Sequence, residues 1–132
     1  MGGHVARNRD CLRIGRAFTE RHKSDVVFEG VVFPPDVARV ELEIEQRVNQ
    51  PAGVARVFVW RWASESCVQV FSRAIGSNDV FNLINIPNHQ QYLDADGRMR
   101  IMVRHIVYSP MFAFNFVSRY DIVKISVIDI SK

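Results

Sequence analysis

The segment Arg39-Val-Glu-Leu-Glu-Ile-Glu-Gln-Arg-Val48 alternates between apolar and charged side chains over most of its length. The apolar side chains share one parity and the glutamates share the other: Val40, Leu42 and Ile44 against Glu41, Glu43 and Glu45. Successive side chains of a β-strand point to opposite faces, so this pattern predicts a strand with one face in the core and one in water. Such half-buried strands are typical of antiparallel sheets.

Similar short runs, separated by turn residues, continue from about Val26 to Ile130. The run Val54 to Trp62 is apolar on both parities, which predicts a central strand, and Ala63-Ser-Glu-Ser66 predicts a hairpin into the next strand. Asp94-Ala-Asp-Gly97 predicts a further reversal, since Asp and Gly tolerate the backbone geometry of tight turns. The connections are too short for crossover helices. The fold class expected is therefore all-β, an antiparallel β-sandwich of about eight or nine strands.

Size and composition predict one domain over residues 1–132. The chain has 132 residues, of which 48% are hydrophobic, including nine Phe and two Trp, so it has enough apolar material for one core. Residues 1–25 are the hardest part to interpret, because Cys11 to Phe18 fits either a strand or a short helix.

The N-terminal segment is also the most basic part of the chain: it carries Arg7, Arg9, Arg13, Arg16, Arg21 and Lys23. Such a segment is compatible with a nucleic-acid-binding arm or with a solvated terminus. Phe18 is its only aromatic ring, whereas proteins that bind single strands interleave basic and aromatic residues. We therefore expect no nucleic-acid partner.

Two cysteines, Cys11 and Cys67, permit either one disulfide or two free thiols, and their spacing does not decide between these. No apolar run approaches the ~18 residues of a membrane-spanning helix, so we expect no membrane span. The start, Met1-Gly-Gly-His-Val5, lacks the apolar region of a signal peptide.

Three segments carry a resemblance to a known class of module: Val57-Phe-Val-Trp-Arg-Trp-Ala-Ser-Glu-Ser-Cys-Val68, Tyr92-Leu-Asp-Ala-Asp-Gly-Arg-Met-Arg-Ile-Met-Val-Arg104 and Tyr120-Asp-Ile-Val-Lys-Ile-Ser-Val127. Together with Val27 to Leu42, they resemble the hairpin, turn and closing strand of galactose-binding-like, or discoidin-like, jelly-roll modules. One departure is Cys67, where related hairpins commonly carry Trp.

The resemblance implies a jelly-roll-like sandwich and a place in an exported or cell-surface protein, because such modules are often appended to exported glycoside hydrolases. It implies binding of sugars, a structural calcium, or packing against neighbouring domains, and fold alone does not choose among these.

The candidate ligand-binding residues are Trp62, Asn88, His89, Tyr92 and Tyr108. Trp62 lies at a strand end and offers a flat ring on which a sugar can stack, whereas Trp60 is expected in the core. Asn88-His-Gln-Gln-Tyr92 is the loop richest in hydrogen-bonding groups, although polar residues are also ordinary loop filler.

Arg98, Arg100 and Arg104 share one parity of the strand that follows Gly97, and such a stripe is suited to an acidic glycan or a phosphate. The rival interpretation pairs these arginines with Glu41, Glu43 and Glu45 across neighbouring strands, which leaves no charge for a ligand. We favour the pairing, and it predicts that charge reversal at Arg100 is partly rescued by reversal at Glu43.

Signals for catalysis and for cofactors are weak. His105 shares a parity with Met99, Ile101 and Val103, which indicates a core histidine rather than a base acting on Cys67. Asp94 and Asp96 supply oxygen atoms of the kind that calcium prefers, but the full calcium-binding loop is absent and Arg98 repels a cation. We expect no cofactor and no metal, since a structural calcium lacks a supporting motif.

The function expected is that of a non-catalytic binding or attachment module with carbohydrate as the first candidate ligand. The alternative is a structural domain that self-associates or docks to a partner, and Phe112, Phe114 and Phe116 are then its candidate contact patch. An enzyme is disfavoured because no catalytic set of residues is visible.

Overall fold

The computed structural model describes residues 5–6, 18–19, 23–33, 39–50, 52–107 and 117–128. Nine strands lie in these ranges: β1 Val5–Ala6, β2 Phe18–Thr19, β3 Lys23–Val31, β4 Arg39–Val48, β5 Gly53–Arg61, β6 Ser66–Ile75, β7 Val80–Asn85, β8 Arg98–Ile106 and β9 Ser118–Ile128. A 3₁₀ turn spans His89–Tyr92, and the described residues contain no α-helix. The all-β prediction is therefore confirmed.

The strands form two antiparallel sheets. One has the order β1-β6-β5-β8-β3-β2 and the other the order β7-β4-β9. Among the seven strands longer than two residues, only β5 and β6 are consecutive neighbours, and the other five connections pass from one sheet to the other. The hairpin expected at residues 63–66 is thus confirmed, and β5 is a central strand, as its apolar pattern predicts.

The core lies between the two sheets. Val40, Leu42 and Ile44 of β4 are fully buried there, as their alternation predicts. They share one cluster with residues of the opposite sheet: Val57, Val59, Met99, Ile101 and Val103. Val123, Ile125 and Val127 of β9 pack against the same cluster, in agreement with the inward orientation expected for the closing strand.

A second apolar cluster lies on the outer face of the six-stranded sheet. Phe58 and Trp60 have the opposite parity to Val57 and Val59, and they pack with Met102 and Cys67. All four members of this outer cluster are buried. Trp60 is therefore buried as predicted, but on the side of the sheet away from the main core. Burial on both faces explains why β5 is apolar on both parities.

Cys67 is disulfide-bonded, and Cys11 is the only other cysteine in the chain. Cys11 and most of the basic N-terminal segment lie outside the described residues, as do the candidate ligand residue Tyr108 and the candidate patch Phe112, Phe114 and Phe116. Within the described ranges, no helix has the length and apolar character needed to cross a membrane.

The reversal at residues 94–97 is built by one aspartate. Asp94 Oδ1 accepts hydrogen bonds from the backbone N–H groups of Asp96 and Arg98, both at 2.9 Å. Gly97 has a φ of 79°, a left-handed conformation that glycine adopts without strain, and its carbonyl accepts a hydrogen bond from the N–H of Val32. This turn fixes the start of β8 beside the end of β3.

Candidate functional site

Most of the predicted ligand residues meet at one end of the sandwich. The indole N–H of Trp62 donates to the backbone carbonyl of Tyr92 at 3.0 Å and to that of Arg98 at 3.2 Å. These bonds tie the end of β5 to the 3₁₀ turn and to the start of β8. Asn88, which precedes the turn, has a left-handed backbone with a φ of 51°.

The exposure of these residues differs. Asn88 is exposed and Trp62 is half-buried, whereas His89 and Tyr92 are buried. Tyr92 belongs to the core cluster between the sheets, so its ring packs the interior and is closed to a ligand. Of the predicted set, only Trp62 and Asn88 present side chains to solvent in the described structure.

The ring of Trp62 is already in contact with protein groups. The guanidinium carbon of Arg100 lies 4.7 Å from its centroid and that of Arg98 lies 6.0 Å away. The ring of Trp60 meets it edge-on, with centroids 6.5 Å apart. Arginine over an aromatic face is a favourable contact, so the accessible ring area left for a sugar is small.

The arginine stripe is neutralised, but not by the predicted partners. Arg100 Nε lies 2.7 Å from Glu29 Oε2, and Arg104 Nε lies 2.8 Å from Asp25 Oδ1. Arg98 pairs with Asp94 at 2.7 Å, and its hydrogen bond to the carboxylate raises the pKa of the guanidinium. The stripe thus offers no vacant positive charge to an acidic glycan or a phosphate.

The predicted pairing of this stripe with Glu41, Glu43 and Glu45 is wrong. β4, which carries those glutamates, lies in the other sheet, and the neighbours of β8 are β3 and β5. The glutamates instead have contacts within their own sheet: Glu41 with Arg39, and Glu43 with Lys124 and Ser126. The true partners, Asp25 and Glu29, lie four residues apart on β3. This is the spacing of Arg100 and Arg104 on β8, and the match is the signal that could have identified them.

A buried polar cluster joins the sheets around His105, which is fully buried. Its Nε2 is 2.7 Å from Gln46 Oε1, and its Nδ1 is 2.8 Å from Ser118 Oγ. The amide oxygen only accepts, so Nε2–H donates to Gln46 and Nδ1 accepts from the Ser118 hydroxyl, which is the pattern of a neutral imidazole. The ring stacks on Tyr120 with centroids 4.9 Å apart.

The cluster is a structural core rather than a catalytic pair. Burial lowers the pKa of His105 to about 4, and burial, with a smaller contribution from Asp25, raises the pKa of the Tyr120 hydroxyl. Cys67 lies on the opposite face of the six-stranded sheet and is disulfide-bonded, so it cannot act as a thiolate nucleophile with His105. The prediction of a hydrogen-bonded core histidine is confirmed.

The outer face of the three-stranded sheet is exposed and mixed in character. Phe81 and Leu83 of β7 are 50% and 55% exposed, and Ile122 of β9 is 40% exposed. Phe81 and Ile122 lie on either side of Glu45 in the same row of the sheet. This face therefore presents large apolar side chains next to carboxylates.

No family model, no curated protein and no solved structure matches the chain.

The first prediction concerns the ion pair of Arg100. We expect Glu29→Gln to lower the free energy of unfolding by about 1–3 kcal/mol, because it leaves a largely buried guanidinium without its counter-charge. Glu43→Gln is the matched control, with an expected cost below about 1 kcal/mol, since its partner Lys124 is exposed and lies 3.8 Å away. Urea denaturation of both variants measures the difference. Equal losses would contradict the assignment, as would rescue of Arg100→Glu by Glu43→Arg but not by Glu29→Arg.

The second prediction concerns pH. His105 is neutral in the folded protein down to about pH 4, whereas in the unfolded chain it takes up a proton near its ordinary pKa of 6.5. The stability that the neutral His105 contributes is therefore fully present above the ordinary pKa. It is lost as the pH falls towards the pKa of the folded state, by on the order of 3 kcal/mol in total. Denaturation curves at a series of pH values compare wild type with His105→Gln. The free energy of unfolding of the wild type should fall more steeply with decreasing pH. Parallel pH profiles of the two proteins would show that His105 is not the cause of the loss.

Proposed function

We propose that this domain is a non-catalytic attachment module that self-associates through the free edge of β7. The observation that carries the proposal is the character of that edge. β7 has the sequence Val-Phe-Asn-Leu-Ile-Asn, without a charged residue or a proline, and it exposes Phe81 and Leu83. Among the described strands it pairs with β4 alone.

Backbone groups of β7 face this open side. The N–H of Ile86 donates to the carbonyl of Val40, so the backbone hydrogen-bonding groups of Ile86 are directed towards β4. Hydrogen-bonding direction alternates along an antiparallel strand, and the N–H and C=O of Phe81, Leu83 and Asn85 are therefore directed away from β4. A row of such groups is a template for pairing with another strand.

The opposite edge of the same sheet is protected. β9 carries Arg119, Asp121 and Lys124, and its register with β4 shifts at Asp121, which leaves that residue as a bulge. Charges and bulges are the devices by which edge strands avoid pairing with other chains. Because β7 lacks both, the partner that fits is a second copy of β7, whose uncharged strand brings no like charges into opposition.

An exported or cell-surface location agrees with this proposal. Cys67 is disulfide-bonded, and disulfides persist mainly in oxidising environments. The location also agrees with the resemblance to galactose-binding-like modules, which remains an expectation from the sequence.

A second candidate function is carbohydrate binding at the end of the sandwich, and one observation favours it. Trp62 and the turn that follows Asn88 are held together by the indole hydrogen bond, and Asn88, Gln90 and Gln91 of this turn region are exposed. We rank it second because the arginines already contact the Trp62 ring and Tyr92 is buried.

The self-association proposal predicts a concentration-dependent dimer in sedimentation equilibrium. Leu83→Lys should make the protein monomeric, because it places a charge on the pairing edge. Ile122→Lys is the matched control: the same substitution on the same sheet face, but on β9, should leave the dimer intact. A wild-type protein that stays monomeric at all concentrations would overturn the proposal, and so would equal behaviour of the two variants.

The carbohydrate candidate predicts a positive signal on a glycan array, run with and without a chelator. Asn88→Gly should weaken that signal, because glycine keeps the left-handed backbone but removes the amide. Ser64→Gly, at an exposed position in the β5–β6 turn, is the control and should bind as wild type does. An array that is blank under both conditions would remove carbohydrate as a candidate.

A further inference from the structure

We propose that a surface notch at one end of the three-stranded sheet binds an anionic group of the sulfate or phosphate type. The notch has a volume of about 240 Å³ and is lined by Arg47, Val48, Asn49, Ser77, Val117 and Arg119. It lies between β4 and β9, so it does not depend on self-association through β7 or on glycan stacking at Trp62.

The two arginines of the notch stand directly opposite each other. Arg47 of β4 and Arg119 of β9 are cross-strand partners in the sheet. Like charges in this position repel each other, and the repulsion is unfavourable unless a counter-charge lies between them. Asp79 supplies a counter-charge to Arg47, and a bound anion would supply one to Arg119.

Both guanidinium groups have hydrogen-bond donors to offer. Arg47 has one ion-pair contact among the described residues, from Nε to Asp79 Oδ1 at 3.5 Å. The side chain of Arg119 is exposed and makes no ion pair or hydrogen bond within the described part of the chain. A guanidinium carries five N–H donors in a planar fork, which matches the oxygen atoms of a sulfate or phosphate group.

The backbone around the notch is fixed. The N–H of Asn49 donates to the carbonyl of Val117 at 3.1 Å, and the N–H of Val117 donates back to Asn49 Oδ1 at 3.0 Å. The N–H of Val48 donates to the carbonyl of Gly76, next to Ser77. A notch held in this way loses little conformational entropy when a ligand binds.

Size and charge limit the ligand to one anionic group. The volume lies below the ~300–1,000 Å³ of pockets that enclose a drug-sized molecule. The carboxylates of Glu45, Asp79 and Asp121 lie within 4.8 Å of one another, and one of them contacts Arg47. An extended polyanion would meet these carboxylates, whereas a single sulfate or phosphate ester fits beside Arg119.

Amide chemical shifts, measured by nuclear magnetic resonance during titration with sodium sulfate and with sodium phosphate, test this site. Sodium chloride at equal ionic strength is the reference, because sulfate also acts on proteins by exclusion from their surface. We expect saturable shifts confined to residues 47–49, 76–77 and 117–119. Arg119→Gln should weaken the affinity at least tenfold. Arg73→Gln, which removes the same charge from an exposed position on β6, should leave the affinity unchanged.

Shifts that do not saturate, or an affinity that Arg119→Gln leaves unchanged, would overturn the proposal. If sulfate and phosphate both saturate, titration with glucose 6-sulfate and glucose 6-phosphate shows which ester binds more tightly; weaker binding of that ester to Arg119→Gln supports the site, and unchanged binding overturns it. Dispersed amide spectra of the variants establish that they are folded.

Discussion

The ion pairs between β3 and β8 fix the alignment on which the six-stranded sheet depends. Glu29 with Arg100 and Asp25 with Arg104 occupy directly opposed positions of the two strands. A slip of one residue would turn every side chain of β8 to the other face and drive its arginines into the core. The pairs therefore act less as sources of stability than as a means of selecting one register, because an alternative register buries charges without partners.

The same arginines also cover an aromatic surface. Arg100 lies over Trp60 and Trp62, and Arg104 lies over Phe58, so the outer cluster is shielded by guanidinium groups that the β3 carboxylates hold in place. The alkyl stems of long charged side chains can cover apolar surface while their heads stay near water. The outer face around these rings is thereby covered, and the exposed large apolar side chains of β7 and β9 lie on the other sheet.

Much of the fold could be predicted from the sequence, because alternation reports which face a side chain occupies. Val40, Leu42 and Ile44 were identified in this way, the central strand β5 by apolar residues on both parities, and the turn at Asp94 by its Asp and Gly residues. Alternation does not report which strand is the neighbour, and this is why Arg100 was assigned to Glu43 instead of Glu29.

The candidate site shows the same limit. His105 was recognised as a core residue, but its partner Gln46 is 59 positions away in the chain and no local pattern links them. Arg47 and Arg119 become neighbours only through the pairing of β4 with β9. Trp62 and Asn88 were chosen as candidate ligand residues because they sit at a strand end and in a loop, a property that the sequence does display.

The two unlike edges of the three-stranded sheet also bear on how far an assembly can grow. A flat sheet with two receptive edges can add molecules indefinitely and become a fibre. In the part of the chain that the structure describes, the three-stranded sheet has one receptive edge, and the proposed β7–β7 pairing would use that edge of both protomers. The charged, bulged β9 would then terminate the joined sheet at either end, so the pairing proposed for β7 would close on itself without open-ended polymerisation.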